Sequence, residues 1–402
     1  MDEIEIPSHF LCPISMQLMR DPVIVATGIT YDRESIEKWL YSCKNSTCPM
    51  TKQDLSNTDL TPNHTLRRLI QSWCTLNSSN GIERIPTPKP PVEKSQILKL
   101  IKEAKSSSKS QIKCLQRLRS ISQGSQSNKK SLEAAGAVEF LASSIITKKN
   151  DHEELCDEAL NLLYQLDPSD EDLKKLMNDE GKYFVGSLVQ ILKCSGNCQS
   201  RVFAIMLLKS AFRVADPIQL TNIKQENFIE IVHILKDQIS QASKAALKLL
   251  VEICPWGRNR IKAVEAGAVL VLIELLLDSS DKRANELMLT VLEQLCRTAD
   301  GRAELLKHGA GLAIVSKKIF RVSQAASDRA VRILSSICKF SATSGVLREM
   351  LQVGVVAKLC LVLQVEINPK TIERANEILK LHNRIWKDSP CIPLSLVSSY
   401  PV

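Results

Sequence analysis

Cys254, Cys296 and Cys338 stand 42 residues apart, and each closes a run of the form Leu-x-x-Leu/Ile-Cys. No other feature constrains the fold of so much of the chain. Small-residue junctions recur around them: Ala135-Gly136-Ala137-Val138, Ala266-Gly267-Ala268-Val269, Gly309-Ala310-Gly311 and Gly354-Val355-Val356. Each precedes an apolar helical run such as Leu270–Leu276, and Gly181 lies about two periods before Gly267. A fixed period of this size means stacked units, none of which can bury its apolar face alone. Glycine permits the sharp turn and close approach that successive short helices need. The three cysteines are then equivalent core positions and not candidate nucleophiles. We expect five or six units, imperfect between Lys209 and Gln241.

A chain of 402 residues with 44% hydrophobic but only 4% aromatic residues fits cores built from Leu, Ile, Val and Ala in more than one domain. Glu274 and Lys358 interrupt its longest apolar stretches, and Met1–Glu5 is acidic rather than signal-like. The expectation is a soluble, cytoplasmic protein. Its thirteen cysteines include no two Cys-x-x-Cys pairs, so neither a disulfide framework nor a four-ligand zinc site is expected. Cys43 with Cys48, or Cys194 with Cys198, would supply half a site at most. We expect no metal and no cofactor.

The net charge of +9 is localised. Residues 1–75 hold seven basic against nine acidic side chains, whereas ten basic residues between Lys94 and Lys130 face one acid, Glu103. That stretch has no aromatic residues on which bases could stack. A solvated face, a cap on the repeats or an acidic protein partner is expected, not nucleic acid, and any membrane contact would be peripheral.

The N-terminal 74 residues have a different grammar. Ile6-Pro7-Ser8-His9-Phe10-Leu11-Cys12-Pro13-Ile14-Ser15 lacks helical period and reads as an ordered loop. Val23-Ile24-Val25 and Ile29-Thr30-Tyr31 flank a Gly28 turn as a hairpin. Asp32 then reads as an N-cap for a helix presenting Ile36, Trp39 and Leu40 on one face. A second loop carries Cys48-Pro49-Met50-Thr51. Asn63 reads as the cap of a second helix with an apolar stripe of Leu66, Leu69, Ile70 and Trp73. This order resembles the U-box, the metal-free relative of the RING domain. Polar residues such as Ser15, Asp32, Thr51 and Asn63 would replace zinc with hydrogen bonds, provided that the buried members are paired.

The resemblance implies transfer of ubiquitin from a charged E2 conjugating enzyme to a substrate lysine, with no covalent intermediate on this chain. It implies an E2-binding surface at Ile14, Met16, Trp39 and Pro49, and structural roles for Cys12, Pro13, Asp32 and Asn63. Where many family members carry an Arg that bridges E2 and ubiquitin, Lys52 stands here. Lys keeps the charge but lacks the planar fork of donors.

Ile85-Pro86-Thr87-Pro88-Lys89-Pro90-Pro91 reads as an extended spacer. The expected division is a U-box over 5–79, a linker over 80–93, helical repeats over 94–387 and a tail over 388–402. The fold class expected is mainly α: a small α+β module followed by an α-helical solenoid resembling armadillo repeats. Together these resemble the plant U-box ligases of the stress and immunity branch. The resemblance implies a substrate-binding groove in the repeats, proteasomal targeting, and dampening of defence or water-stress signalling. Thr61-Pro62 and Thr87-Pro88 are candidate sites for a proline-directed kinase. A U-box homodimer is plausible, and a non-catalytic armadillo adaptor is the alternative reading.

Overall fold

The computed structural model describes residues 6–400 except 43–44, 56–58, 79–81, 84, 86–91, 93, 107, 147–152, 180, 237–239, 366–367 and 388–399. Thr87 and all but Ile85 of the proline-rich spacer lie outside the described residues. The chain forms two compact units, 1–144 with 149–168 and 145–148 with 169–402.

The first unit opens on a 3-10 turn at Ser8–Phe10 and a loop to Asp21. Strands β1 (Pro22–Ile24) and β2 (Thr30–Asp32) then pair antiparallel, Val23 opposite Tyr31, around Gly28 at φ 81°. Helix α1 (Arg33–Glu37) runs into a π turn over Lys38–Ser42. Strand β3 (Thr61–Pro62) adds to the other side of β1, giving the order β2-β1-β3, and α2 (His64–Leu76) follows. Asn63 caps α2: its side chain accepts the Leu66 N–H at 3.0 Å and donates to Thr30 Oγ1 at 3.3 Å. Cys12, Met19, Val23, Tyr31, Ile36, Cys48, Ile70 and Cys74 form the core.

Two expectations need correction. Leu69 is 53% exposed, and α2 buries Ile70 and Cys74, with Leu66 and Trp73 only partly covered. Asp32 occupies the N-cap position of α1 but makes no side-chain cap. Its carboxylate instead turns back to the first loop, where the N–H groups of Arg20 and Asp21 each donate to it at 2.8 Å. Two donors in a turn satisfy the carboxylate better than one at a five-residue helix.

The same unit contains α3 (Lys94–Ser106), α4 (Ser108–Ser122), α5 (Gln126–Ala134), α6 (Ala137–Ile146) as far as Ser144, and α7 (Glu153–Leu166). Helices α3 and α4 pack together, and α4 packs on α7, with Leu115 and Leu118 of α4 and Leu160 of α7 buried. Arg119 and Glu158 pair across that contact at 2.9 Å.

The second unit is a stack of helix triplets. They are α8 (Asp170–Asp179), α9 (Gly181–Cys194) and α10 (Cys198–Val214); α11 (Pro217–Thr221), α12 (Gln225–Lys236) and α13 (Ser240–Ile253); α14 (Asn259–Glu265), α15 (Ala268–Asp278) and α16 (Lys282–Leu295); α17 (Ala299–Lys307), α18 (Gly311–Lys318) and α19 (Gln324–Phe340); and α20 (Ser344–Gln352), α21 (Val355–Gln364) and α22 (Pro369–Leu381). A last turn, α23 (Asn383–Trp386), buries Trp386, whose Nε1 donates to the Leu347 carbonyl at 3.0 Å. The third helices α10, α13, α16, α19 and α22 pack in series. Rungs about one repeat apart join them: Gln294 Nε2 to Val251 O at 3.3 Å, Ser336 Oγ to Cys296 O at 2.8 Å, Thr371 Oγ1 to Asp328 Oδ1 at 2.8 Å.

Cys254, Cys296 and Cys338 are buried at equivalent places, and burial pushes each thiol up to about 12. The stretch from Lys209 to Gln241, expected to be imperfect, covers the first two helices of the α11–α13 triplet, between the end of α10 and the start of α13. Its first helix, α11, is only five residues long; it starts at Pro217, with Gln219 reaching back to the Asp216 N–H at 3.0 Å. Asn222-Ile223-Lys224 stands between α11 and α12, where other triplets carry the small-residue junction that gives the sequence signal. Tyr400, in the expected tail, is buried and donates to the Leu379 carbonyl at 3.0 Å. Among the described residues no helix is long and apolar enough to cross a membrane.

Candidate functional site

Two loops of the N-terminal module are built alike. In the first, the Cys12 N–H donates to Gln17 O and the Met16 N–H to Cys12 O, both at 2.8 Å. In the second, the Cys48 N–H donates to Gln53 O at 2.8 Å and the Lys52 N–H to Cys48 O at 2.9 Å. Isolated bridges Leu11–Leu18 and Thr47–Asp54 close them, and the fifth residue of each, Met16 and Lys52, has positive φ (54° and 59°). The sequence carries the same duplication, Cys-Pro-Ile-Ser-Met-Gln against Cys-Pro-Met-Thr-Lys-Gln, a signal that reading each loop separately misses. Left-handed backbone costs such side chains about 1 kcal/mol, so the closing hydrogen bonds must impose it.

Each loop is pinned through its buried thiol. Cys12 Sγ accepts the Asp32 N–H at 3.3 Å. Burial alone would raise this thiol, but further hydrogen bonds from Ser15 and Ile14 leave it lowered. Cys48 Sγ meets Thr27 Oγ1 at 3.3 Å and Tyr31 OH at 3.1 Å. Here too burial raises the thiol, and hydrogen bonds from Thr27, Thr51 and Tyr31 outweigh it, bringing it down to about 6. Burial and that sulfur together hold the Tyr31 phenol well above its usual value. Tyr31 also accepts the Met50 N–H at 3.2 Å, so one residue of β2 anchors the second loop while its neighbour Asp32 anchors the first. These sulfur and carboxylate acceptors tie both loops to strand β2 by hydrogen bonds. Among the described residues no group of three or more His, Cys, Asp or Glu side chains gathers as a metal would require.

The apolar residues singled out in the sequence are not equally exposed. Met16 is 71% exposed, and Ile14, Trp39 and Pro49 are half-buried. Ile14 and Trp39 both pack against the module's core. Trp39 Nε1 donates to the Thr47 carbonyl at 2.8 Å, tying the π turn to the second loop, and Lys52 Nζ stands 5.9 Å from the Trp39 ring centroid. Met50, next to Pro49 in the second loop, is 59% exposed, and its position in a loop gave no periodic clue. Thr61 is exposed at β3, before the Asn63 cap. Pro13 is half-buried between Cys12 and Ile14.

A hydrogen-bonded two-loop module followed by three-helix repeats defines a U-box protein with armadillo-type repeats. The family model for the U-box domain matches residues 6–79, and that for the plant U-box protein ARM repeat region matches residues 96–402. The chain belongs to the plant U-box proteins with an ARM repeat region. It is 58% identical to the Arabidopsis thaliana E3 ubiquitin-protein ligase PUB23, covering all of this chain and 98% of that one. It is 54% identical to Arabidopsis thaliana PUB22, covering 99% of both, and 36% identical to PUB24 from the same plant. Among solved structures, one concerning the interaction between cadherin and beta-catenin covers 81% of this chain at TM-score 0.59 and 12% identity. An engineered protein covers 86% at TM-score 0.54 and 18% identity. These two likenesses speak to the fold alone.

Proposed function

We propose that this chain is a U-box E3 ubiquitin-protein ligase that docks a ubiquitin-charged E2 on Ile14, Met16, Trp39 and Pro49, with Met50 beside them. What supports this reading is the set of exposed and half-buried apolar residues on and beside two loops that are each tied to β2, with Lys52 near Trp39. A central aromatic with aliphatic neighbours has the composition of a small interface hot spot. The chemistry is acyl transfer: a substrate lysine amine attacks the thioester carbonyl, a C–N bond forms, the C–S bond breaks, and the E2 thiolate leaves. The ligase contributes orientation of these groups, not a nucleophile. Lys52 is positioned to steady ubiquitin against the E2. The armadillo repeats, over 94–387 in our division, hold the substrate, with a linker at 80–93 after the U-box at 5–79 and a tail at 388–402.

The full identity span shared with PUB22 and PUB23 supports the ligase reading, and the family resemblance supports a cytoplasmic enzyme that restrains defence or abiotic-stress signalling. Leu69 and Leu76, 53% and 80% exposed on α2, would be covered in a U-box homodimer. Thr61 is exposed enough for a proline-directed kinase, and a phosphate there would meet the start of α2. Thr87 is the second candidate.

The test is autoubiquitination with E1, a panel of E2s and ubiquitin, comparing wild type with Ile14→Ala and Trp39→Ala. Ladders lost in folded variants are expected. No ladder with any E2, and no E2 binding by the wild type, would turn the reading to a non-catalytic adaptor.

A further inference from the structure

Glu37 is 3% exposed, on a small module whose surface could easily have hydrated a carboxylate. Its partners come from the first repeats. Glu37 Oε2 accepts the N–H of Gln126, the first residue of α5, at 3.2 Å. Ser125 Oγ takes the N–H of Asn128, the third, at 3.1 Å. The open N–H groups of α5 are thus shared between its own cap and a carboxylate from α1, which the helix dipole also favours there. Four residues after Glu37, the Tyr41 ring lies 3.4 Å from Lys130 Nζ, on the next turn of α5. Two contacts of different chemistry therefore join the same pair of elements. Arg33, held to Asp21 at 2.6 Å, stands 3.9 Å from the other Glu37 oxygen, close enough for charge attraction but not for a hydrogen bond.

The placement of these contacts gives them a role. Glu37 and Tyr41 are four residues apart and share a face, while Trp39 between them points to the opposite side, toward Thr47 and Lys52. The grip of α5 therefore leaves the Trp39 face open and braces it from behind. The braced segment is the π turn, an irregular geometry with fewer supporting neighbours than an α-helix and one that recurs at functional sites.

We propose that Glu37 and Lys130 are positioning residues for ubiquitin transfer: the first armadillo-type helices latch onto the back of the Trp39 turn and hold it in the shape that the E2 binds. This rests on the reading of Trp39 as an E2 contact. The latch makes the repeats a working part of the E2 site as well as a substrate platform.

The experiment uses the full chain and measures discharge of ubiquitin from a charged E2 to free lysine while the charged E2 is titrated. Lys130 is exposed, so Lys130→Ala should fold, and Glu37→Gln keeps the shape and one acceptor. Each should raise KM about five-fold, the factor carried by one such contact, with kcat close to wild type. Lys130→Arg, which keeps a cation over Tyr41, should restore KM, and Lys129→Ala, outside the latch, should leave it unchanged. Hydrogen exchange should quicken at residues 38–42 in Lys130→Ala without a fall in Tm. Wild-type KM in both latch variants, while Trp39→Ala abolishes discharge, would overturn the latch and leave the E2 surface standing. Full discharge by Trp39→Ala would overturn both.

Discussion

Cys48 shows how a single buried residue can pin a loop. Its sulfur collects the hydroxyls of Thr27 and Tyr31 at 3.3 and 3.1 Å, while its backbone closes the loop that presents Pro49 and Met50. Cys48→Ala would take the sulfur partner from the buried Tyr31 hydroxyl and the part-buried Thr27 hydroxyl, at a cost of about 1–3 kcal/mol, and should lower Tm and E2 binding together. The thiol falls from an ordinary value of 9.0 in the unfolded chain to about 6 in the fold. A depressed acid stabilises fully above its unfolded pKa and loses that contribution as pH falls through the folded value. The Cys48 share of stability should therefore decline from pH 9 down to about 6 and vanish below. Thiolate absorbance of the folded protein against a Cys48→Ser variant, with parallel melts, would expose a midpoint elsewhere. Lys52 carries the second residue-scale prediction. Its backbone already sits at φ 59° and its ammonium near Trp39, so Lys52→Arg adds only a donor fork. Discharge should speed up; an unchanged or slower rate would remove Lys52 from the positioning role.

At the scale of elements, two glycines do the same junction's work by different physics. Gly267, ahead of α15, has φ 83° and open space where a Cβ would lie, so Gly267→Ala should cost only backbone strain, about 1 kcal/mol. Gly311 opens α18, and a Cβ there would stand 2.1 Å from the Leu305 carbonyl oxygen. The backbone must move to admit Ala, so Gly311→Ala should cost more, about 1–3 kcal/mol or beyond. Thermal unfolding of the two variants decides it, and equal losses would contradict this distinction. The small-residue junctions were visible in the sequence because both mechanisms select glycine. Which mechanism acts was not, since one depends on a torsion and the other on the helix before it.

Across the whole molecule, burial sorts the cysteines. Cys194 and Cys198 are exposed, whereas Cys254, Cys296 and Cys338 lie within the stacked helices with thiols held up at about 12. A thiol reacts through its thiolate, so iodoacetamide at neutral pH should label the first two and spare the other three until the protein unfolds. Peptide mapping of a native digest showing early label on Cys296 would mean that the repeats open far more readily than their packing implies.

Periodicity alone determined that most of this chain is a helical stack, because a 42-residue recurrence of buried cysteine and small junctions has few other physical solutions. Motif order likewise determined the loop–hairpin–helix plan of the N-terminal module. Tertiary structure decided what pattern cannot encode. Asp32 serves the first loop rather than its own helix, Leu69 faces outward, and a two-residue strand completes the sheet. It also decided that Glu37, which reads as an ordinary helical glutamate, is buried against α5, 89 residues further along the chain. Local propensity acts over a few neighbours, whereas a carboxylate's partner is fixed by whichever distant N–H groups the packing brings within 3 Å or so of it.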